Sequence, residues 1–111
     1  MFEKDLSLSV LFDLYQPLLS QKKREVFEAY FADDLSLSEI ADETGTSRQA
    51  VRDLIARTAE ELRGYEKALG LLQKQKRLSL LCEELQKEAS KTEEETKNNI
   101  GRVLCEIEKI L

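Results

Sequence analysis

The sequence predicts an all-α protein, and three observations support that fold class. Glycine and proline together account for five of the 111 residues, which leaves few positions for the tight turns of a β-sheet. Apolar residues recur at spacings of three and four along most of the chain, as on one face of an α-helix. Serine residues precede several of these stretches, where they can cap a helix. At this length we expect one domain, or a small domain with an extension.

Composition argues against an enzyme, a metal protein and a membrane protein. The chain has no histidine, which removes the commonest general base, and it has no glycine-rich phosphate loop. Cys82 and Cys105 are far apart without CxxC spacing, so we expect buried, reduced thiols and neither a metal nor a cofactor. No apolar run approaches the ~20 residues of a membrane span, and the N-terminus lacks a signal-peptide pattern. These features predict a cytoplasmic protein.

Two helices are predicted before the central motif. The first should end near Tyr15, because Pro17 disfavours helical geometry in the residue before it. The second should begin after Ser20, a good N-cap residue. Its first turn carries a basic cluster that is either a solvated face or a phosphate contact; the cluster is Lys22, Lys23 and Arg24.

The stretch SLSEIADETGTSRQAVRDLI, residues 36–55, predicts a helix-turn-helix. Ser36 and Glu39 have capping-box spacing, and the small Ala41 suits a close helix crossing. Gly45 suits the turn, and Ser47 caps the next helix. Threonines flank Gly45 where apolar residues are usual, so we expect a less tightly anchored turn. The fourth helix should stop at Gly70, and seven of its residues should face inward: Val51, Leu54, Ile55, Thr58, Leu62, Tyr65 and Leu69.

The outward face of the fourth helix carries the candidate DNA-binding residues, Ser47, Arg48, Gln49, Arg52 and Arg57. Arginine can form two hydrogen bonds with a guanine edge and glutamine with adenine, while Ser47 and Arg57 suit the phosphate backbone. Alternatively, these residues form an ordinary solvated surface. Residues 36–63 hold four arginines against six acidic residues, a net charge of −2, whereas DNA-binding domains usually present a basic surface.

The C-terminal part predicts an antiparallel hairpin of two long helices. One register places Leu85, Leu81 and Leu78 opposite Ile100, Leu104 and Ile107, respectively. Thr92 and Glu95 have capping-box spacing at the start of the last helix. Leu72, Leu80 and Ile110 lie beside this seam and need a partner surface, either the N-terminal helices or a second subunit. Because the core is small, we favour a homodimer formed partly by these helices. We therefore expect a helix-turn-helix domain at residues 1–70 and a hairpin for dimerisation or partner binding at residues 71–111.

The chain resembles a known family. LSLSEIADETGTSRQAVRDLIARTAEEL is similar to the helix-turn-helix in region 4 of bacterial sigma factors. With LFDLYQPLLSQKKREVFEAYFADDLSLSEIA before it and LRGYEKALGLL after it, the chain resembles the YlxM family of small helix-turn-helix proteins. The resemblance implies a sigma-region-4-like head, readout by Ser47, Arg48, Gln49 and Arg52, and an association with the signal recognition particle pathway of protein targeting.

Two functional hypotheses follow. The first is a DNA-binding regulatory protein that binds double-stranded DNA through the fourth helix. The second is a protein–protein adaptor that keeps the helix-turn-helix only as a scaffold and docks on components of the signal recognition particle or on RNA polymerase. The acidic balance favours the second hypothesis, and measurement of DNA binding separates the two.

Overall fold

The all-α prediction is confirmed. The computed structural model describes residues 6–111, and within that range it contains α-helices, one 3-10 turn at Gln16–Leu18 and no strand. The chain forms two compact units, of which the first ends at Gly70 and the second is Leu71–Leu111. The helices are α1 Leu6–Tyr15, α2 Gln21–Phe31, α3 Leu37–Thr44, α4 Arg48–Leu69, α5 Leu71–Ala89 and α6 Glu94–Ile110.

Local capping sets the helix boundaries in the first unit. Ser20 caps α2, and Ser36 and Glu39 form the predicted capping box at the start of α3. Gly45 and Gly70 end α3 and α4 with φ angles of 67° and 63°, in the left-handed region that glycine adopts without a steric penalty. The predicted ends of α1, α3 and α4 are therefore confirmed.

The core of the first unit surrounds α4, which contacts α1, α2 and α3. Phe27, Ile55 and Leu62 are almost completely excluded from solvent. The ring of Phe27 stacks on Phe12 with centroids 5.0 Å apart. Leu69, which periodicity placed on the inward face, is exposed because it lies at the end of α4.

Polar contacts also attach α4 to its neighbours. Lys23 Nζ lies 2.6 Å from Glu61 Oε1, and the Tyr65 hydroxyl donates to Glu61 Oε2 at 2.7 Å. Hydrogen bonds from Lys23 and then Tyr65 lower the pKa of Glu61 below its ordinary value, while the carboxylate raises the pKa of Tyr65. The Tyr15 hydroxyl similarly donates to Glu66 at 2.7 Å. Lys23 is therefore engaged in holding α2 against α4.

The second unit is the predicted antiparallel hairpin of α5 and α6. The Gln75 side-chain amide donates to the Leu111 carbonyl at 2.7 Å, which joins the start of α5 to the end of the chain. The predicted seam is wrong on the α5 side, because Leu78, Leu81 and Leu85 are all exposed and Cys82 and Ala89 are buried in their place. A shift of one residue rotates the contact by about 100° around the helix.

Two smaller expectations for this unit also need correction. The Thr92 hydroxyl donates to the Ala89 carbonyl at 2.7 Å, so it caps the end of α5, and α6 follows Glu93 without a side-chain cap. Cys82 and Cys105 are both free thiols, and Cys82 is buried as predicted. Cys105 is exposed, because it lies on α6 away from the seam.

Candidate nucleic-acid interface

The helix-turn-helix is formed by α3, the turn at residues 45–47 and the first half of α4. Ala41 is buried, as expected of a small residue at a close crossing. The turn is held by hydrogen bonds, because the Thr44 hydroxyl lies 2.8 Å from the Ile40 carbonyl oxygen and 2.9 Å from the Thr46 hydroxyl. The Thr46 backbone amide donates to the Ala41 carbonyl at 3.0 Å. Threonine hydroxyls thus provide contacts at positions where apolar side chains are usual.

Four of the five predicted site residues surround one open depression at the N-terminus of α4. Ser47, Arg48, Gln49 and Arg52 line it together with Leu37 from the start of α3, and its volume is about 450 Å³. The four polar residues are exposed. Ser47 Oγ accepts from the Ala50 amide at 3.0 Å, which leaves its hydroxyl hydrogen available as a donor. The unpaired amides at this helix end favour an anionic ligand.

Arg57 lies apart from that group. It lines a separate depression of about 240 Å³ that also includes Lys22 of α2, Thr44, Thr46 and Asp53. Arg48 and Arg52 therefore occupy one flank of α4, and Arg57 occupies the other with Lys22. Of the basic cluster of α2, Lys22 lines this depression, whereas Lys23 is paired with Glu61.

Asp53 lies between the two basic flanks. Successive residues of an α-helix are rotated by about 100°, so Asp53 is on the side of α4 opposite the buried Ile55 and Leu62. Its carboxylate accepts a hydrogen bond from the Gln49 side-chain amide at 2.9 Å. Asp53 is one of the six acidic residues counted in residues 36–63, but that count does not reveal this bond, for which the i, i+4 spacing of Gln49 and Asp53 is a usable signal. The positive surface of α4 is therefore divided by a carboxylate.

Comparison with known proteins agrees with this geometry. The family described as "Putative helix-turn-helix protein, YlxM / p13 like", UPF0122, matches residues 2–101. The chain belongs to the UPF0122 family. Its relatives include a UPF0122 protein of Bacillus cereus strain AH187, which is 44% identical over 110 residues covering 99% of each chain. A UPF0122 protein of Listeria welshimeri is 45% identical over 91 residues, or 82% of this chain and 83% of the relative.

Family membership confirms the predicted resemblance to the YlxM family. It also supports the assignment of the chain as a helix-turn-helix protein with bacterial relatives. The description of the UPF0122 family names a helix-turn-helix. Among residues 6–111, no helix combines the length and apolar character needed to cross a membrane. Within the same range, no cluster of three or more acidic or cysteine side chains has the arrangement of a metal site.

Proposed function

We propose that this UPF0122 protein is a DNA-binding regulatory protein whose α4 enters the major groove of double-stranded DNA. The observation that carries the proposal is the single depression lined by Ser47, Arg48, Gln49 and Arg52 at the N-terminus of α4. In helix-turn-helix proteins, the residues at this end of the second helix contact base edges. The resemblance to sigma factor region 4 supports the same assignment.

Each side chain has a distinct role in this proposal. Arg48 and Arg52 share one flank of α4 and would donate to guanine edges, while Gln49 would exchange its bond to Asp53 for bonds to adenine. Ser47, at the helix end, would donate to a phosphate oxygen. Arg57 would meet the phosphate backbone from the opposite flank.

Salt titration of binding to random duplex DNA tests this proposal. Fluorescence anisotropy measures affinity between about 50 and 200 mM salt, and the slope reports the number of phosphates neutralised. Arg48→Ala and Arg52→Ala should each weaken binding and reduce the slope by about one if these arginines meet the DNA. Arg63→Ala is the matched control, since its guanidinium pairs with Glu60 at 2.8 Å farther along α4. Equal effects of all three substitutions, or no binding at about 50 mM salt, would reject the proposal.

A protein–protein adaptor is the second candidate, and one observation favours it. The first 70 residues contain nine basic and fourteen acidic residues, so they carry the whole net charge of −5, and Asp53 divides the basic flanks of α4. Such a surface repels DNA at long range and favours a basic protein partner. The adaptor predicts that the wild-type protein does not bind DNA even at low salt. It also predicts that a variant with Arg48→Ala and Arg52→Ala retains its function.

Three finer proposals accompany the leading one. A homodimer would double the number of arginines presented to DNA and would require half-sites spaced by about one helical turn or a multiple. The protein would act in the cytoplasm. A regulatory role in the signal recognition particle pathway, with its components as partners, rests on the resemblance to the YlxM family alone; co-purification with the particle from cells would test it.

A further inference from the structure

The α5–α6 hairpin buries one narrow seam. Cys82 and Ala89 of α5 and Leu104 of α6 are its buried residues. The bond between Gln75 and the Leu111 carbonyl places the start of α5 level with the end of α6. Since the helices are antiparallel, each step up α5 corresponds to one step down α6, and Leu81 is level with Cys105.

One side of this hairpin is apolar and the other is polar. In α5, the side chains of Leu78, Leu81 and Leu85 follow one flank of the seam. In α6, Val103 and Ile110 follow the flank on the same side, because corresponding flanks of antiparallel helices face the same way. All five are exposed, from 43% for Leu78 to 86% for Ile110. The opposite side presents mainly polar or small residues, Ser79, Gln86, Gly101 and Glu108, with the half-buried Leu72 near the start of α5.

Charges along the apolar side of α5 are arranged symmetrically about Leu81. Lys74 lies seven residues before Leu81, and Glu88 lies seven residues after it, which is two helical turns in each direction. Arg77 and Glu84 lie one turn before and after it, slightly farther from the apolar stripe. The first half of this flank is therefore basic and the second half acidic. Glu88 also pairs with Lys91 at 3.3 Å, an exposed contact of little energetic weight.

We propose that the apolar side of the hairpin binds a second copy of this chain, with the two α5 helices antiparallel and a two-fold axis close to Leu81. This arrangement places Lys74 beside Glu88 of the partner subunit and Arg77 beside Glu84 of the partner subunit. Each contact occurs twice because of the symmetry. A parallel arrangement would instead place Lys74 and Arg77 beside identical charges.

The same axis suits α6. Because Leu81 is level with Cys105, the axis sets Val103 opposite Ile107 of the partner subunit and Ile100 opposite Ile110 of the partner subunit. Each of these pairs is apolar, and each also occurs twice. One axis thus matches charges on α5 and apolar side chains on α6, which is the self-complementarity that a two-fold interface requires. The inference deepens the proposed homodimer but does not require DNA binding.

Cysteine cross-linking tests the position of the axis. In a Cys105→Ser background, which removes the exposed thiol, Leu81→Cys places two thiols near the axis. A mild oxidant should then convert the protein to a covalent dimer, whereas Ser79→Cys on the polar side should give about tenfold less dimer in the same time. Comparable cross-linking of the two variants would overturn the proposal.

Charge exchange tests the register without altering the apolar residues. Sedimentation equilibrium in the absence of DNA should show that Lys74→Glu and Glu88→Lys each weaken the dimer about tenfold. The double variant should return to within about threefold of the wild type, because the attractive pairs are restored with reversed sign. A monomeric wild-type protein at about 100 μM would overturn the proposal and would indicate that another part of the chain or a different partner covers the apolar side. Binding of DNA by such a monomer would leave the proposed function intact.

Discussion

Asp53 allows a test in which the DNA-binding proposal predicts a gain of affinity. Its carboxylate lies between the basic flanks of α4 and accepts from the Gln49 amide at 2.9 Å. In Asp53→Asn the new amide oxygen can still accept from Gln49, and the side chain keeps its size. The substitution therefore removes one negative charge from the proposed reading face and leaves the packing of α4 unchanged.

The expected gain is modest and can be estimated from Coulomb's law. If α4 enters the major groove, a carboxylate on its outward face lies roughly 7–10 Å from the nearest phosphates on each strand. At a dielectric constant near that of water, each repulsion costs about 0.4–0.6 kcal/mol. The total repulsion from two such phosphates, reduced by salt screening, is about 0.5–1 kcal/mol. For each helix-turn-helix unit, the Asp53→Asn variant should therefore bind duplex DNA about two- to fivefold more tightly at low salt.

Fluorescence anisotropy with a labelled duplex at about 50 mM salt measures this gain. Glu28→Gln is the matched control, because it makes the same charge change in the first unit beside the depression lined by Phe12, Phe27 and Phe31. The two variants have the same net charge, so a difference in their affinity for DNA reflects the position of the charge that was removed. If Asp53→Asn gains no more affinity than Glu28→Gln, α4 does not present this face to DNA.

Two predictions concern the stability of the first unit, measured as the free energy of unfolding in urea. Gly45→Ala should lower it by about 1 kcal/mol because of the left-handed backbone, whereas Gly64→Ala, in the middle of α4 with open space around it, should raise it by about 0.5–1 kcal/mol. Glu61→Gln should lower the free energy of unfolding by about 1 kcal/mol at neutral pH, because it weakens the contact with Lys23. Glu60→Gln is the control and should lower it by at most about 0.5 kcal/mol, because Glu60 pairs with Arg63 in an exposed position. Since Lys23 lowers the folded-state pKa of Glu61, this contribution is present above the ordinary value of 4.5 and is lost as the pH falls through the lower folded value. A Glu61→Gln deficit that persists at the lowest pH, or a destabilising Gly64→Ala, would contradict these arguments.

Features that depend on neighbours in sequence were predictable. The capping box of Ser36 and Glu39, the cap at Ser47 and the turn at Gly45 all appear as expected, because each depends on the backbone within a few residues. Thr92 was misassigned because its spacing to Glu95 suits a cap while its hydroxyl can equally reach back to Ala89. Local patterns identify the competing hydrogen bonds but do not rank them.

Features that depend on the orientation of whole helices were less predictable. Periodicity identified α5 and α6 as partners, but a rotation of about 100° separates a seam through Leu81 from the observed seam through Cys82. Likewise, Arg57 was grouped with Arg48 from sequence, and the folded unit places it beside Lys22 on the other flank of α4. Capping and helix identity are local properties of the chain. The set of side chains that share a surface depends on how the helices cross, and that angle comes from the packing of residues distant in sequence.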